Sequence, residues 1–142
     1  MKIKVLIADD ETAFADALKE RLELRGFDVF VVNNGIQAVS CVDENNIDVA
    51  VLDVIMPGLT GTEALAKIRE KHPLVQVLLL TGQGTIKNAV EGMKLGAFDY
   101  LLKPADTDLL TAKLNDAYEV KAKQEEKIKK AEIEATINRV GW

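Results

Sequence analysis

Short apolar runs alternate with segments of helical period, and the pair repeats five times along the chain. Ile3 to Ala8 is the first run, rich in β-branched residues, and Phe27 to Val32, Asp48 to Asp53, Val75 to Leu80 and Phe98 to Leu102 follow. Runs of about 4–8 residues with little polar alternation predict strands covered on both faces. Between them, Thr12 to Arg25 carries Ala13, Ala17, Leu18, Leu22 and Leu24 at helical spacing, with Gly26 as its stop. Gly35 to Glu44 is a short helix. Thr62 to Lys71 is another, with Leu65, Ile68 and Arg69 marking its sides and Pro73 ending it. Ile86 to Leu95 is closed by Gly96, and Asp106 opens the last helix. Strand-then-helix repeats with right-handed crossovers predict an α/β fold: a doubly wound parallel sheet of five strands with five helices, the last extended. Ligands of such sheets bind outside the carboxyl ends of the strands, at a topological switch point.

The 142 residues suffice for one compact domain and not for two. A formal net charge of -5 argues against nonspecific binding to nucleic acid or to an anionic membrane. Cys41 is the single cysteine, so a disulfide framework is excluded and a buried structural thiol is expected there. No apolar run approaches the ~20 residues of a membrane span, and no signal-peptide pattern opens the chain. A cytoplasmic protein is the simplest reading.

The strand ends concentrate chemistry. Asp9, Asp10 and Glu11 follow the first strand, Asp53 ends the third, Thr81 and Gly82 follow the fourth, and Lys103-Pro104 follows the fifth. Taken singly, all but Asp53 read as turn residues, helix caps or solvated side chains. Asp10 or Glu11 could cap the first helix, and Thr81 could open the turn before the fourth. Taken together, on one rim, they read as a site. Three close carboxylates repel one another, and a hard divalent cation relieves that repulsion. Mg²⁺ suits one or two carboxylates plus water and phosphate oxygens. A carboxylate can also act as a nucleophile and form an acyl phosphate. The metal, Lys103 and the Thr81 hydroxyl would then stabilise the charge of a transferring phosphoryl group.

These residues resemble the receiver family of two-component response regulators. The resemblance rests on Asp9-Asp10, on Val51-Leu52-Asp53-Val54-Ile55-Met56-Pro57-Gly58, on Thr81-Gly82 and on Tyr100-Leu101-Leu102-Lys103-Pro104. Gly61 and the stretch Gly96-Ala97-Phe98-Asp99-Tyr100 also match. It covers about residues 1 to 120, leaving 121–142 as a C-terminal helical extension. It implies a flavodoxin-like sheet of strand order 2-1-3-4-5. It implies Asp53 as phosphoacceptor, Mg²⁺ held by Asp10 and Asp53 with Asp9 acting through water, and the backbone carbonyl of Ile55 completing the protein's share of the metal shell. Lys103 and Thr81 would contact the phosphoryl group, and the Lys103-Pro104 bond would be cis. Thr81 and Tyr100 resemble the family's switch pair, which rebuilds the face made by the fourth helix, fifth strand and fifth helix. The competing reading of Tyr100 is a half-buried strand aromatic with its hydroxyl at the surface. Implied partners are a sensor histidine kinase or phosphotransfer protein, and a second copy joined through that face or through the C-terminal helix. Ile55 and Gln83 stand where receivers tune the loss of the phosphoryl group.

The last helix is expected to run from Asp106 to about Asn138, with Leu110, Leu114, Ala117 and Lys121 as the stripe on the sheet. Beyond it Lys and Glu dominate; Ile128, Ala131 and Ile133 are sparse, and Ile137, Val140 and Trp142 form an apolar tail. A solvated overhang, a dimerising or partner-binding helix and a linker to a further domain all fit; no strict heptad is sustained. A stand-alone receiver is the preferred expectation. His72 has no second ligand at metal spacing. Gly82-Gln83-Gly84 is not a dinucleotide fingerprint, because Lys87 stands where the third glycine belongs. A haloacid-dehalogenase-type phosphatase needs a general acid two residues after its nucleophile, where this chain has Ile55. A constitutive, non-phosphorylated interaction module has no need of Asp10, Asp53, Thr81 and Lys103 together. The chain is thus expected to be a phosphoaccepting signalling protein rather than an enzyme acting on external substrates.

Overall fold

The computed structural model describes residues 2–82 and 86–141, and of Ile86 the backbone alone. Gln83, Gly84 and Trp142, singled out above, lie outside the described residues. Five strands, β1 (Lys4–Ala8), β2 (Asp28–Val32), β3 (Val49–Leu52), β4 (Gln76–Thr81) and β5 (Asp99–Leu102), form one parallel sheet in the order β2-β1-β3-β4-β5. The helices are α1 (Thr12–Leu24), α2 (Gly35–Glu44), α3 (Gly61–Lys71), α4 (Ile86–Lys94) and α5 (Thr107–Arg139). The flavodoxin-like doubly wound architecture read from the sequence is therefore the one observed.

Alternate strand residues feed two cores, one on each face of the sheet. Val5, Ile7, Val49, Val51, Leu78 and Leu80 pack against α1 and α5 through Leu18, Leu22, Leu110 and Leu114. Leu6, Ala8, Ala50, Leu52, Val77 and Leu79 pack against α2 and α3 through Ala38, Val42, Leu65 and Ile68. Burial on both faces is why these strands lack polar alternation.

The face that α1 buries differs from the stripe expected of it. Ala15, Leu18 and Leu22 are buried, whereas Leu24 is 83% exposed and Ala13 and Ala17 face solvent. At 3.6 residues per turn, positions 15, 18 and 22 share one face, and Leu24 falls on another. α3 begins a residue earlier than expected, on Gly61. Thr60 caps it by accepting the Glu63 N–H, while the Glu63 side chain accepts the Thr60 N–H, which is a complete capping box. α5 packs through Leu110, Leu114, Ala117 and Lys121 as anticipated, and residues 126–141 are all exposed. Among the described residues, no helix is long and apolar enough to cross a membrane.

Candidate functional site

Register aligns the chemistry-bearing strand ends. Ala8 pairs with Leu52, so Asp9 and Asp53 emerge side by side; Thr81 pairs with Leu102, so Lys103 emerges beside Gly82, one step past Thr81. Backbone hydrogen bonds continue one step past the strands, from Asp53 N–H to the Ala8 carbonyl at 2.9 Å and from Lys103 N–H to the Thr81 carbonyl at 2.9 Å. These positions are thus held by the sheet and not by loops. Gly61 sits against the Asp53 carbonyl so closely that a Cβ would fall on that oxygen. Its N–H bonds the Val54 carbonyl at 2.9 Å, docking the start of α3 under the site.

Asp9, Asp10 and Asp53 each offer a carboxylate oxygen within 4.8 Å of the others. Asp9 and Asp53 are buried, and Asp10 is exposed. Lys103 closes the group. Its ammonium lies 2.7 Å from Asp9 Oδ2, 2.8 Å from Glu11 Oε1 and 3.2 Å from Asp53 Oδ2. The other Asp9 oxygen accepts the Glu11 N–H at 2.9 Å, and the other Asp53 oxygen accepts the Ile55 N–H at 3.3 Å. Burial pushes the Asp9 carboxyl above its ordinary value, and its bond to Lys103 only partly offsets this. Burial alone would lower Lys103, but its hydrogen bonds to Asp9, Glu11 and Asp53 outweigh it and hold the ammonium firmly protonated. Two buried carboxylates beside one fixed cation, with a third carboxylate open to solvent, form a donor set of hard oxygens suited to Mg²⁺.

Asp10, Glu11, Asp53, Ile55, Thr81 and Gly82 line one open pocket above these groups. Thr81 is buried at the end of β4. Ile55 is 57% exposed at the pocket's edge. The Lys103–Pro104 peptide is cis. Tyr100 is half-buried against the core under α2 and α3, and its hydroxyl is buried with no hydrogen-bond partner among the described residues. The reading of Tyr100 as a strand aromatic with a surface hydroxyl is therefore corrected: the ring points inward, carrying its oxygen out of water.

Two residues have roles the sequence did not reveal. Glu11, offered as one of two possible caps, does occupy the N-cap position of α1 but makes no side-chain cap bond, and its carboxylate pairs with Lys103. Phe14 places its ring 4.6 Å from the Lys103 ammonium. Glu11 and Lys103 are 92 residues apart, so no local pattern could have paired them.

Residues 5–115 match the family described as the response regulator receiver domain. The chain is 40% identical over 111 residues to the transcriptional regulatory protein CpxR of Escherichia coli K12, covering 78% of this chain and 47% of that one. It is 38% identical over 104 residues to the regulatory protein VanR of Enterococcus faecium, covering 73% and 45%. The chain thus spans less than half the length of either relative. The Francisella response regulator 1452 receiver domain superposes with a TM-score of 0.78 at 36% identity, covering 83% of this chain and 98% of that one. A response regulator receiver domain from Clostridium thermocellum gives 0.81 at 35%, covering 84% and 97%. The fold and rim define a phosphorelay signalling module, of a class whose members characteristically take up phosphoryl groups and Mg²⁺. This chain belongs to the response regulator receiver family of two-component systems.

Proposed function

We propose that this receiver accepts a phosphoryl group on Asp53 and uses it as a switch. One observation carries the reading: Asp53 Oδ2 lies 3.2 Å from a Lys103 ammonium that also binds Asp9, beside an open pocket. A carboxylate oxygen of Asp53 attacks the phosphorus of a phosphohistidine or a small acyl phosphate. The bond to the departing nitrogen or oxygen breaks, that atom keeps the electron pair, and an aspartyl phosphate remains. Lys103 stays protonated through this step and turns from carboxylate to phosphoryl oxygen. Asp10, Asp53 and the Ile55 carbonyl would hold Mg²⁺, with Asp9 acting through water. Bound Mg²⁺ relieves carboxylate repulsion and shares the charge of the transferring group.

Thr81 supplies a hydroxyl to the phosphoryl group, and Tyr100 follows it inward. The inward ring is the conformation that this switch favours, and α4, β5 and α5 then present an altered face. Exposed Val90, Met93 and Leu102 give that face apolar contact surface. A sensor histidine kinase or phosphotransfer protein is the donor, and a second copy is a candidate partner through this face or through the end of α5. Residues 1–120 act as the receiver and 121–142 as its helical extension, working in the cytoplasm.

The test is intact mass after incubation with Mg²⁺ and acetyl phosphate, beside Asp53→Asn. A Mg²⁺-dependent gain of one phosphoryl group, absent from Asp53→Asn, is expected. Wild type that gains nothing and also fails to bind beryllium fluoride overturns the reading in favour of a constitutive interaction module.

A further inference from the structure

The Lys103 ammonium has three hydrogen-bond donors and meets three carboxylates, on Asp9, Glu11 and Asp53. The Phe14 ring also lies beside it, 4.6 Å from nitrogen to centroid. That distance lies within cation–π range. Phe14 and Glu11 stand three residues apart at the start of α1, so they share one edge of the helix. Phe14 is half-buried against the core that anchors α1 and α5, so its ring is held from behind. The Lys103 side chain is only 10% exposed.

We propose that Phe14 is a positioning residue for phosphoryl transfer: its ring holds the Lys103 ammonium at the Asp53 pocket without competing for its protons. This rests on the phosphoacceptor reading of Asp53. Lys103 must exchange carboxylate partners for a phosphoryl oxygen while remaining beside Asp53. A fourth oxygen acceptor would keep it back. An aliphatic wall would hold it weakly and let it turn toward water. An aromatic face attracts the cation, shields it from solvent and accepts no conventional hydrogen bond. Glu11, whose side chain is 65% exposed, is the partner that Lys103 most readily releases.

Phe14→Leu keeps an apolar side chain and removes the ring face, whereas Phe14→Tyr keeps both. Phosphorylation by acetyl phosphate, beryllium fluoride affinity and Mg²⁺ affinity without donor are measured for each, with circular dichroism as the folding control. Phe14→Leu is expected to lose about fivefold in phosphorylation rate and in beryllium fluoride affinity. Its Mg²⁺ affinity should stay within about twofold, and Phe14→Tyr should recover wild-type values. A merely structural role would lower all three together and would not be rescued selectively. Wild-type rate and affinity in Phe14→Leu, or equal losses in Phe14→Leu and Phe14→Tyr, overturn the proposal. If wild type itself neither takes up a phosphoryl group nor binds beryllium fluoride, the Asp53 reading fails by itself. The Lys103 ammonium protons then decide the ring contact by NMR. Protection from exchange in wild type and Phe14→Tyr, lost in Phe14→Leu, supports it, and no difference among the three sinks it.

Discussion

Replacing Lys121 with methionine removes one charge from the foot of the sheet and keeps most of the side-chain stem. The Lys121 ammonium lies 2.9 Å from Asp48 Oδ1 and 2.8 Å from Glu125 Oε1. The other Asp48 oxygen accepts the Lys4 N–H at 2.9 Å, so this carboxylate ties the starts of β1 and β3 to α5. The Lys121 and Asp48 side chains are 9% and 12% exposed, and that of Glu125 is 41% exposed. Breaking a buried pair from one side leaves an uncompensated charge and costs about 3–5 kcal/mol. Here residual solvent and the surviving Lys4 bond place Lys121→Met near the lower end, about 3 kcal/mol. Glu125→Gln, at the open side, costs less than about 1 kcal/mol. With a urea m-value of about 2 kcal/mol/M, Lys121→Met lowers the unfolding midpoint by roughly 1.5 M. Adding Asp48→Asn removes the orphaned charge and keeps an acceptor for Lys4, so the double variant should be about 2 kcal/mol more stable than additivity predicts. Burial pushes Lys121 down, but Glu125 and Asp48 outweigh it and raise it. Its contribution is therefore complete below the ordinary lysine value of about 10.4 and is lost as pH climbs through the raised folded value. A Lys121→Met loss under about 0.5 kcal/mol, or strict additivity with Asp48→Asn, would mean that the buried Asp48 charge does not depend on Lys121.

Four further outcomes follow from the same geometry. Lys103→Met leaves buried Asp9 and Asp53 without their cation, so it should destabilise the metal-free chain by about 3 kcal/mol, with millimolar Mg²⁺ restoring part of the loss in thermal melts. Gly61→Ala drives a Cβ into the Asp53 carbonyl, so it should cost about 2–4 kcal/mol in urea unfolding and slow phosphorylation through displacement of Asp53. Burial would raise the Asp99 carboxyl, but its pairing with Lys113 at 2.5 Å outweighs this and lowers it. Stability from that pair is therefore present above the ordinary Asp value of about 3.9 and lost as pH falls through the lowered one, a slope that Lys113→Met should flatten in acid unfolding curves. Removing residues 127–142, whose described positions are exposed, should leave the urea midpoint within about 0.3 M, whereas truncation before Lys121 should reproduce the Lys121→Met loss.

Much of this was legible because parallel strands buried on both faces announce themselves as unbroken apolar runs. Val49 to Leu52 and Gln76 to Thr81 needed no alternation to be recognised, and the residues just after them were the right place to seek chemistry. Helix faces were less legible. Leu24 looked like core from its side chain, but angular position decides burial, and that position faces water. The Thr60–Glu63 capping box was present in the sequence as Thr-x-x-Glu and would have placed the start of α3. Contacts fixed by tertiary register had no local signal. Lys103 with Glu11 and Phe14, and Lys121 with Asp48, join residues whose meeting depends on the completed sheet. The inward Tyr100 hydroxyl belongs to the same class, because a half-buried edge aromatic can turn either way until its neighbours are known.

The most direct measurement of the central claim is chemical mapping of the acceptor. Borohydride reduces an aspartyl phosphate to homoserine, a change that survives digestion and is read by peptide mass. After treatment with acetyl phosphate and Mg²⁺, homoserine is expected at Asp53 and unchanged aspartate at Asp9 and Asp10. Homoserine at Asp9 or Asp10, or at no position in a chain that binds Mg²⁺ but not beryllium fluoride, would contradict this.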